Sequence, residues 1–160
     1  MHKDKLLSKF EDRSAVVGVI GLGYVGLPLA VEFAKAGFNV IGIDIDQHKV
    51  DSLNAGRSYI PDVKTEDVAT LRAASRLTTT SDFAALHATD AVSICVPTPL
   101  RKTRDPDMSY VIGAAEKVAE PATLWLGFQT AGRRLSDYRE PHLEPLFADR
   151  DCRLYCVEGG

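Results

Sequence analysis

The run from Val16 to Asp44 constrains this chain more than any other stretch of it. Ala15 to Ile20 is a mostly β-branched apolar run closed by Gly21, which suits a strand buried on both faces. In the next segment, Tyr24 to Ala36, Val25, Leu29 and Phe33 recur beside a stripe of small residues, Gly26, Ala30 and Ala34. That spacing predicts a helix lying close against a sheet. Gly37 ends the helix by permitting a left-handed turn, and Phe38 to Ile43 reads as a second buried strand. Two strands joined by a helix in so short a span point to parallel neighbours, which need a crossover connection.

The alternation continues along the chain. Asp46 can cap a helix through Leu53, with Gly56 just past its end. Thr65 can cap another, with Glu66 and Asp67 in its first turn, near the positive end of the helix dipole. Leu77 to Thr80 is a short strand, Ser81 caps a short helix through Leu86, and Ala91 to Val96 is a further buried strand. Asp107 begins a helix through Glu120 that carries Val111, Ala114, Ala115 and Val118 on one face. The expected fold class is therefore α/β, a Rossmann-type doubly wound parallel sheet in a single domain. The boundaries are a polar N-terminal extension (1–14), the sheet domain (15–120) and an atypical tail (121–160).

At 160 residues the chain can bury one core without disulfide staples. Its formal net charge of −3 gives no general pull toward nucleic acid or anionic lipid, so neither is expected as a partner. The opening stretch has only Leu6, Leu7 and Phe10 as large apolar residues and lacks the pattern of a signal peptide. No run approaches the roughly 18 apolar residues of a membrane span, and a cytoplasmic location is expected. The three cysteines, Cys95, Cys152 and Cys156, form no disulfide framework and lack zinc-site spacing, so a structural role is expected and no metal site.

Gly21-Leu22-Gly23-Tyr24-Val25-Gly26 has the spacing G-x-G-x-x-G at a strand-to-helix turn. There the first glycine permits the tight turn, the second lets backbone approach a pyrophosphate, and the third lets helix and strand press together. The helix start then offers unpaired N–H groups and a partial positive charge to phosphates. Pro28 falls in the first turn, where its missing N–H breaks no intrahelical bond. Alone the glycine pattern is a weak signal, since such a turn can serve packing only. Asp44 strengthens it, because an acid at the end of the second strand can accept hydrogen bonds from both adenosine ribose hydroxyls and would repel a 2′-phosphate. NAD is thus favoured over NADP. Asp46 competes for the ribose role but is better placed as a helix cap, and Lys49 reads equally as an adenosine-side contact or a solvated lysine.

A second wall is expected after the fourth strand, at Cys95-Val96-Pro97-Thr98-Pro99, because ligands in open parallel sheets bind at the carboxyl ends of strands. Its two prolines hold the segment extended and leave the Thr98 hydroxyl as a fixed polar group. Taken together, Gly21-Leu-Gly-Tyr-Val-Gly-Leu-Pro28, Ile43-Asp-Ile-Asp46 and Val96-Pro-Thr-Pro-Leu100, followed by Lys102-Thr-Arg-Asp-Pro-Asp107, closely resemble the N-terminal domain of the UDP-glucose/GDP-mannose dehydrogenase family. The stretch Leu53 to Ile60 and the Lys-Thr-Arg-Asp-Pro-Asp loop resemble the branch that oxidises UDP-N-acetylglucosamine or related UDP-N-acetylhexosamines.

The resemblance implies a two-step, NAD-dependent oxidation of the sugar C6 alcohol to a carboxylate through a cysteine-bound aldehyde, for surface polysaccharide synthesis. It implies a UDP-sugar as substrate, a homodimer in full-length relatives, and Tyr24, Val25, Asp44 and Thr98 along the NAD site. The cofactor-binding candidates are therefore Gly21, Gly23, Tyr24, Val25, Gly26, Asp44, Lys49, Pro97 and Thr98. Arg101, Lys102 and Arg104 read as a solvated basic loop, partly offset by Asp105 and Asp107.

The family pattern calls for a Glu-Ser-Thr segment after Glu120, where this chain reads Pro121-Ala-Thr-Leu-Trp-Leu-Gly-Phe128. From Pro121 onward there is no isoleucine or lysine, one valine (Val157) and five arginines, whereas eight lysines precede it. A diverged, shortened chain and a reading frame disturbed near Pro121 both fit, and the second is favoured. Thr123 to Phe128 can form a short strand and Leu143 to Phe147 a helical turn, without clear periodicity, and a poorly packed tail is expected. No catalytic residue is expected here, since the family's nucleophilic cysteine and its partners belong to a later region. The alternatives are a non-catalytic nucleotide-binding module or truncated inactive product, and a β-hydroxyacid-type NAD dehydrogenase, which shares the glycine turn and distal acid but not the Pro-Thr-Pro-Leu and Asp-Pro-Asp segments.

Overall fold

A computed structural model describes residues 2–97, 99, 102, 107, 109–119, 125–128 and 154–156, the last two segments as backbone. The first strand, β1 (Val16–Ile20), turns through the glycines into α2 (Gly26–Lys35), with α1 (His2–Glu11) preceding it. Next come β2 (Asn39–Ile43), α3 (Gln47–Asn54), α4 (Thr65–Ala73) and β3 (Leu77–Thr80). A 3₁₀ segment (Phe83–Ala88) leads to β4 (Ala91–Ile94), followed by α5 (Ser109–Ala119), β5 (Trp125–Phe128) and β6 (Leu154–Cys156). Among the described residues the strands form one sheet in the order β3-β2-β1-β4-β5-β6, with every neighbouring pair parallel. This is the strand order of a doubly wound Rossmann sheet, the fold class expected above.

The alternation of β1 explains the two layers. Val17 and Val19 point to one face, where Leu22, Leu27, Ala30, Ala34, Val40, Leu53, Val68 and Leu77 bury with them. Ile20 points to the other, into a cluster with Ile43, Leu86, Val92, Ile94, Val111, Ala114, Ala115 and Val118. Each fully buried Val, Leu or Ile side chain is worth about 1.5–3 kcal/mol, so a strand apolar on both faces holds both helical layers to the sheet. On α2 it is the small stripe, Gly26, Ala30 and Ala34, that is buried, together with Leu27 and Val31.

The N-terminal extension is helical as α1. It docks through Phe10 against Phe38, with ring centroids 5.6 Å apart, and through a Lys9–Asp90 ion pair. Asp90 also accepts the Val16 N–H at 2.9 Å, which ties the start of β1 to the loop before β4.

Two expected caps are corrected. The α4 N-cap is Lys64, and the Thr65 hydroxyl instead accepts the Ser58 N–H at 3.2 Å, tying the preceding loop to the helix. The 3₁₀ segment is capped by Asp82, which accepts the Ala84 N–H at 2.9 Å, while Ser81 donates to Gln47. A carboxylate two residues before the free N–H outcompetes a hydroxyl three before it. Three elements are shorter than expected. The helix after the glycines starts at Gly26 rather than Tyr24, β4 stops at Ile94 rather than Val96, and α5 starts at Ser109, whose N–H is accepted by Asp107 at 3.1 Å. The strand expected within Thr123 to Phe128 is β5, and Leu143 to Phe147 lies outside the described residues.

Candidate functional site

From β1 the chain runs to β2 and β3 on one side, and β4 lies on its other side, so the strand order reverses between β1 and β4. The carboxyl ends of β1, β2 and β4 open there on a cavity of about 910 Å³. Its floor includes Gly21, Gly23 and Asp44, its far wall Cys95, Val96 and Pro97, and α5 contributes Tyr110, Gly113 and Lys117.

The glycines have three separate physical reasons. Gly21 has φ +88°, and a Cβ there would lie 2.6 Å from the Cys95 carbonyl oxygen. A Cβ on Gly26 would overlap the Gly21 carbonyl oxygen and sit 3.1 Å from the Cys95 Cβ, so α2 touches β1 and β4 only because Gly26 is bare. At Gly23 a Cβ would meet nothing within 4 Å. Neither folding nor packing demands a glycine there, and the open space lies on the cavity. The N–H groups of Gly23, Tyr24 and Val25 meet no acceptor among the described residues. Bare donors at the start of a helix are an anion site, and the donor set fits a pyrophosphate.

Asp44 closes the other end. The residue is 5% exposed, just past the end of β2. Its Oδ2 accepts the Leu22 N–H at 2.8 Å and Lys49 Nζ at 3.2 Å, and its Oδ1 accepts the Asp46 N–H at 2.9 Å. A carboxylate has about four lone-pair sites, so acceptor capacity is left for a ribose hydroxyl. Asp46 caps α3, accepting the His48 N–H at 3.0 Å, which commits its carboxylate to the helix.

Of the residues singled out in the sequence, Gly21, Gly23, Tyr24, Val25, Asp44, Lys49 and Pro97 line this cavity and Gly26 backs it. Tyr24 is 75% exposed and Val25 is also open to solvent, as expected of residues at a rim. Thr98, Arg101, Arg104 and Asp105 lie outside the described residues, and Lys102 is exposed. Sequence reasoning used Tyr59 and Ile60 only as part of the family resemblance and did not assign to the site these two, Phe83, or Ser109, Tyr110, Gly113 and Lys117 on α5, all of which line the cavity. Gly113 carried a signal, because a glycine inside a helix costs up to about 1 kcal/mol relative to Ala and asks for a reason. The half-buried Tyr59 carried no such signal of a site, since it sits in an irregular loop. Cys95 is buried and its thiol is pushed above the ordinary range by that burial, with a weak opposing contribution from Ser93. Cys152 lies outside the described residues.

The fold and this cavity define a dinucleotide-binding domain of the doubly wound class. Residues 15–123 match the model of the UDP-glucose/GDP-mannose dehydrogenase family, NAD binding domain, and the chain belongs to that family. It is similar to the UDP-N-acetyl-D-mannosamine dehydrogenase of Salmonella typhi, 43% identical over 106 residues, which cover 64% of this chain and 24% of that protein. With the UDP-N-acetyl-D-glucosamine 6-dehydrogenase of Pseudomonas aeruginosa it shares 38% over 104 residues, 65% of this chain and 24% of the relative. Among solved structures it resembles the UDP-D-ManNAc dehydrogenase of Pyrococcus horikoshii, with a TM-score of 0.76 and 29% identity over 88% of this chain and 35% of that one. The chain thus spans about a quarter of the length of the curated relatives it matches. Its cofactor is NAD. The family match sets aside the β-hydroxyacid alternative. Among the described residues no helix is long and apolar enough to cross a membrane.

Proposed function

We propose that residues 15–120 are the NAD-binding portion of a cytoplasmic nucleotide-sugar 6-dehydrogenase that oxidises the C6 alcohol of a UDP-N-acetylhexosamine to a carboxylate, consuming two NAD, for surface polysaccharide synthesis. The observation that carries this reading is the open, cavity-facing space at Gly23 beside unpaired helix-start N–H groups, with the buried Asp44 carboxylate at the far end. In this reading Gly23, Tyr24 and Val25 hold the pyrophosphate, and Gly21 and Gly26 shape the turn. Asp44 and Lys49 hold the adenosine ribose, and Pro97 and Thr98 wall the opposite side. Bound NAD supplies the hydride acceptor; the chain's own part is to anchor and orient it. The names of its relatives support an N-acetylhexosamine as the sugar, without choosing among its epimers.

We further propose that these 160 residues bind NAD without sustained sugar oxidation. In this reading Cys95 is not the nucleophile, because it is largely buried and that burial disfavours its thiolate, whereas nucleophilic catalysis needs an accessible thiolate. The composition change after Glu120 is read as a reading-frame disturbance, which recovery of a Glu-Ser-Thr segment in another frame of the nucleotide sequence would establish. The function itself is tested by titrating the chain with NAD and NADP, then assaying NADH formation with UDP-N-acetylglucosamine and UDP-N-acetylmannosamine. NAD binding with no sustained turnover is expected. Absence of NAD binding overturns the cofactor site, and sustained turnover overturns the claim that the catalytic set is missing.

A further inference from the structure

Leu22 is wholly buried, yet it lies at the centre of the glycine turn, and both of its backbone polar groups are held by other parts of the chain. Its N–H goes to Asp44 at the end of β2. Its carbonyl accepts a 2.6 Å hydrogen bond from the Tyr59 hydroxyl, from a segment 37 residues further along the chain. Tyr59 stands on the loop between α3 and α4, and that loop is itself fixed. Ile60 and Val63 bury in the core, the Val63 N–H donates to the Ile60 carbonyl at 3.1 Å, and the Ser58 N–H donates to Thr65. The hydroxyl is therefore held against the turn by a packed support.

We infer that Tyr59 is a positioning residue for the phosphate-binding turn, a role that rests on the NAD site proposed above. The carbonyl of Leu22 and the N–H of Gly23 belong to one trans peptide and point in opposite directions, so holding the first fixes the direction of the second. Asp44 and Tyr59 pin the turn from its two sides, and the donors of Gly23, Tyr24 and Val25 are presented in one arrangement before any ligand arrives. Preorganised donors bind an anion more tightly than donors that must be ordered on binding. The phenol remains a donor at all working pH values, because burial foremost, then the charges of Asp44 and Asp46, raise its pKa.

The test is Tyr59→Phe in the full chain, which keeps the ring and removes only the hydroxyl. Calorimetric titration with NAD and ADP-ribose, and NMR titration with adenosine, separate the pyrophosphate from the ribose end. The expected result is a roughly 3- to 12-fold weakening for NAD and ADP-ribose, adenosine affinity within about twofold, and a moved Gly23 amide resonance in the ligand-free protein, from loss of about one hydrogen bond. Equal weakening for adenosine would make Tyr59 a general structural support and overturn the inference. So would unchanged NAD binding, or an unmoved Gly23 resonance, which would leave Tyr59 as a direct cofactor contact. Failure of the wild-type chain to bind NAD would instead refute the site reading. If Tyr59→Phe unfolds, NMR of the ligand-free wild-type chain decides instead: single sharp amide resonances for Gly23, Tyr24 and Val25 support a preset turn, and exchange broadening across all three overturns it.

Discussion

Substituting alanine at Gly23 separates what the fold needs from what the cofactor needs. Gly23 has no left-handed backbone, and a Cβ built on it meets no protein atom within 4 Å. Ala is therefore accommodated, and by narrowing the unfolded ensemble it should stabilise the chain by about 0.4–1 kcal/mol. For a domain of this size that is a rise in Tm of about 1–4 °C. The same methyl group stands where the proposed pyrophosphate approaches the backbone. Displacing one charge-assisted hydrogen bond costs about 1.5–3 kcal/mol, so the NAD Kd should rise about 10- to 150-fold. Gly26→Ala is the control in the opposite direction. Its Cβ overlaps the Gly21 carbonyl, and relief requires α2 to move off the sheet, costing about 3 kcal/mol or more of stability. Thermal unfolding by circular dichroism and NAD titration by calorimetry, run on both variants, read the two effects separately. A Gly23→Ala protein that binds NAD within twofold of wild type would refute the reasoning, as would one that melts several degrees lower.

Three further outcomes follow from the same geometry. Asp44→Ala should weaken NAD and shrink its advantage over NADP, because a ribose acceptor and a charge that repels a 2′-phosphate disappear together; unchanged affinity for both would remove Asp44 from the site. ADP-ribose should bind this chain nearly as tightly as NAD, since the anchoring groups lie on the adenosine and pyrophosphate side; a tenfold preference for NAD in calorimetry would show a working nicotinamide subsite. Cys95 and Tyr59 both have pKa values raised by burial, so the folded chain keeps protons that the unfolded chain releases. Their contribution is fully present below the unfolded values of about 8.5 and 10 and is lost as pH rises toward the folded values. Urea midpoints should therefore fall above about pH 8.5, with the first part of the fall absent in Cys95→Ala.

The sequence was most legible where one physical demand acted at a time. The strand β3 has the expected bounds and β1 starts one residue later than expected, and Asp46 caps α3 because a carboxylate before a helix has one strong local use. It misled where two groups competed for one role, as with Thr65 and Ser81, whose hydroxyls were drawn into longer-range bonds with Ser58 and Gln47. The ends of α2 and β4 were read too generously for a related reason. Apolar pattern records burial, and Tyr24 to Val25 and Cys95 to Val96 carry apolar residues for the cavity wall rather than for a helix or strand. The α5 wall was hidden by the same logic, since its buried face was visible as a stripe while Tyr110, Gly113 and Lys117 read as ordinary surface.

At the candidate site, hydrogen bonds from several segments converge on the main chain of one turn and on the Asp44 carboxylate beside it. Gly21 donates to Ile43, Leu22 donates to Asp44 and accepts from Tyr59, and Asp46 donates to Asp44. Four segments, the ends of β1 and β2, the start of α3 and the loop before α4, thereby meet on one peptide turn, and every residue involved lies between Gly21 and Tyr59. Among the described residues, the hydrogen bonds that hold the phosphate end of the site thus come from the first 60 residues, with the segment after β4 as a wall. Backbone pairing places fewer demands on side chains than core packing does, which is why the parallel ladder can continue from β4 to β5 and β6 after the family pattern has stopped at residue 123. Cofactor anchoring is thus built locally into one turn and its supports.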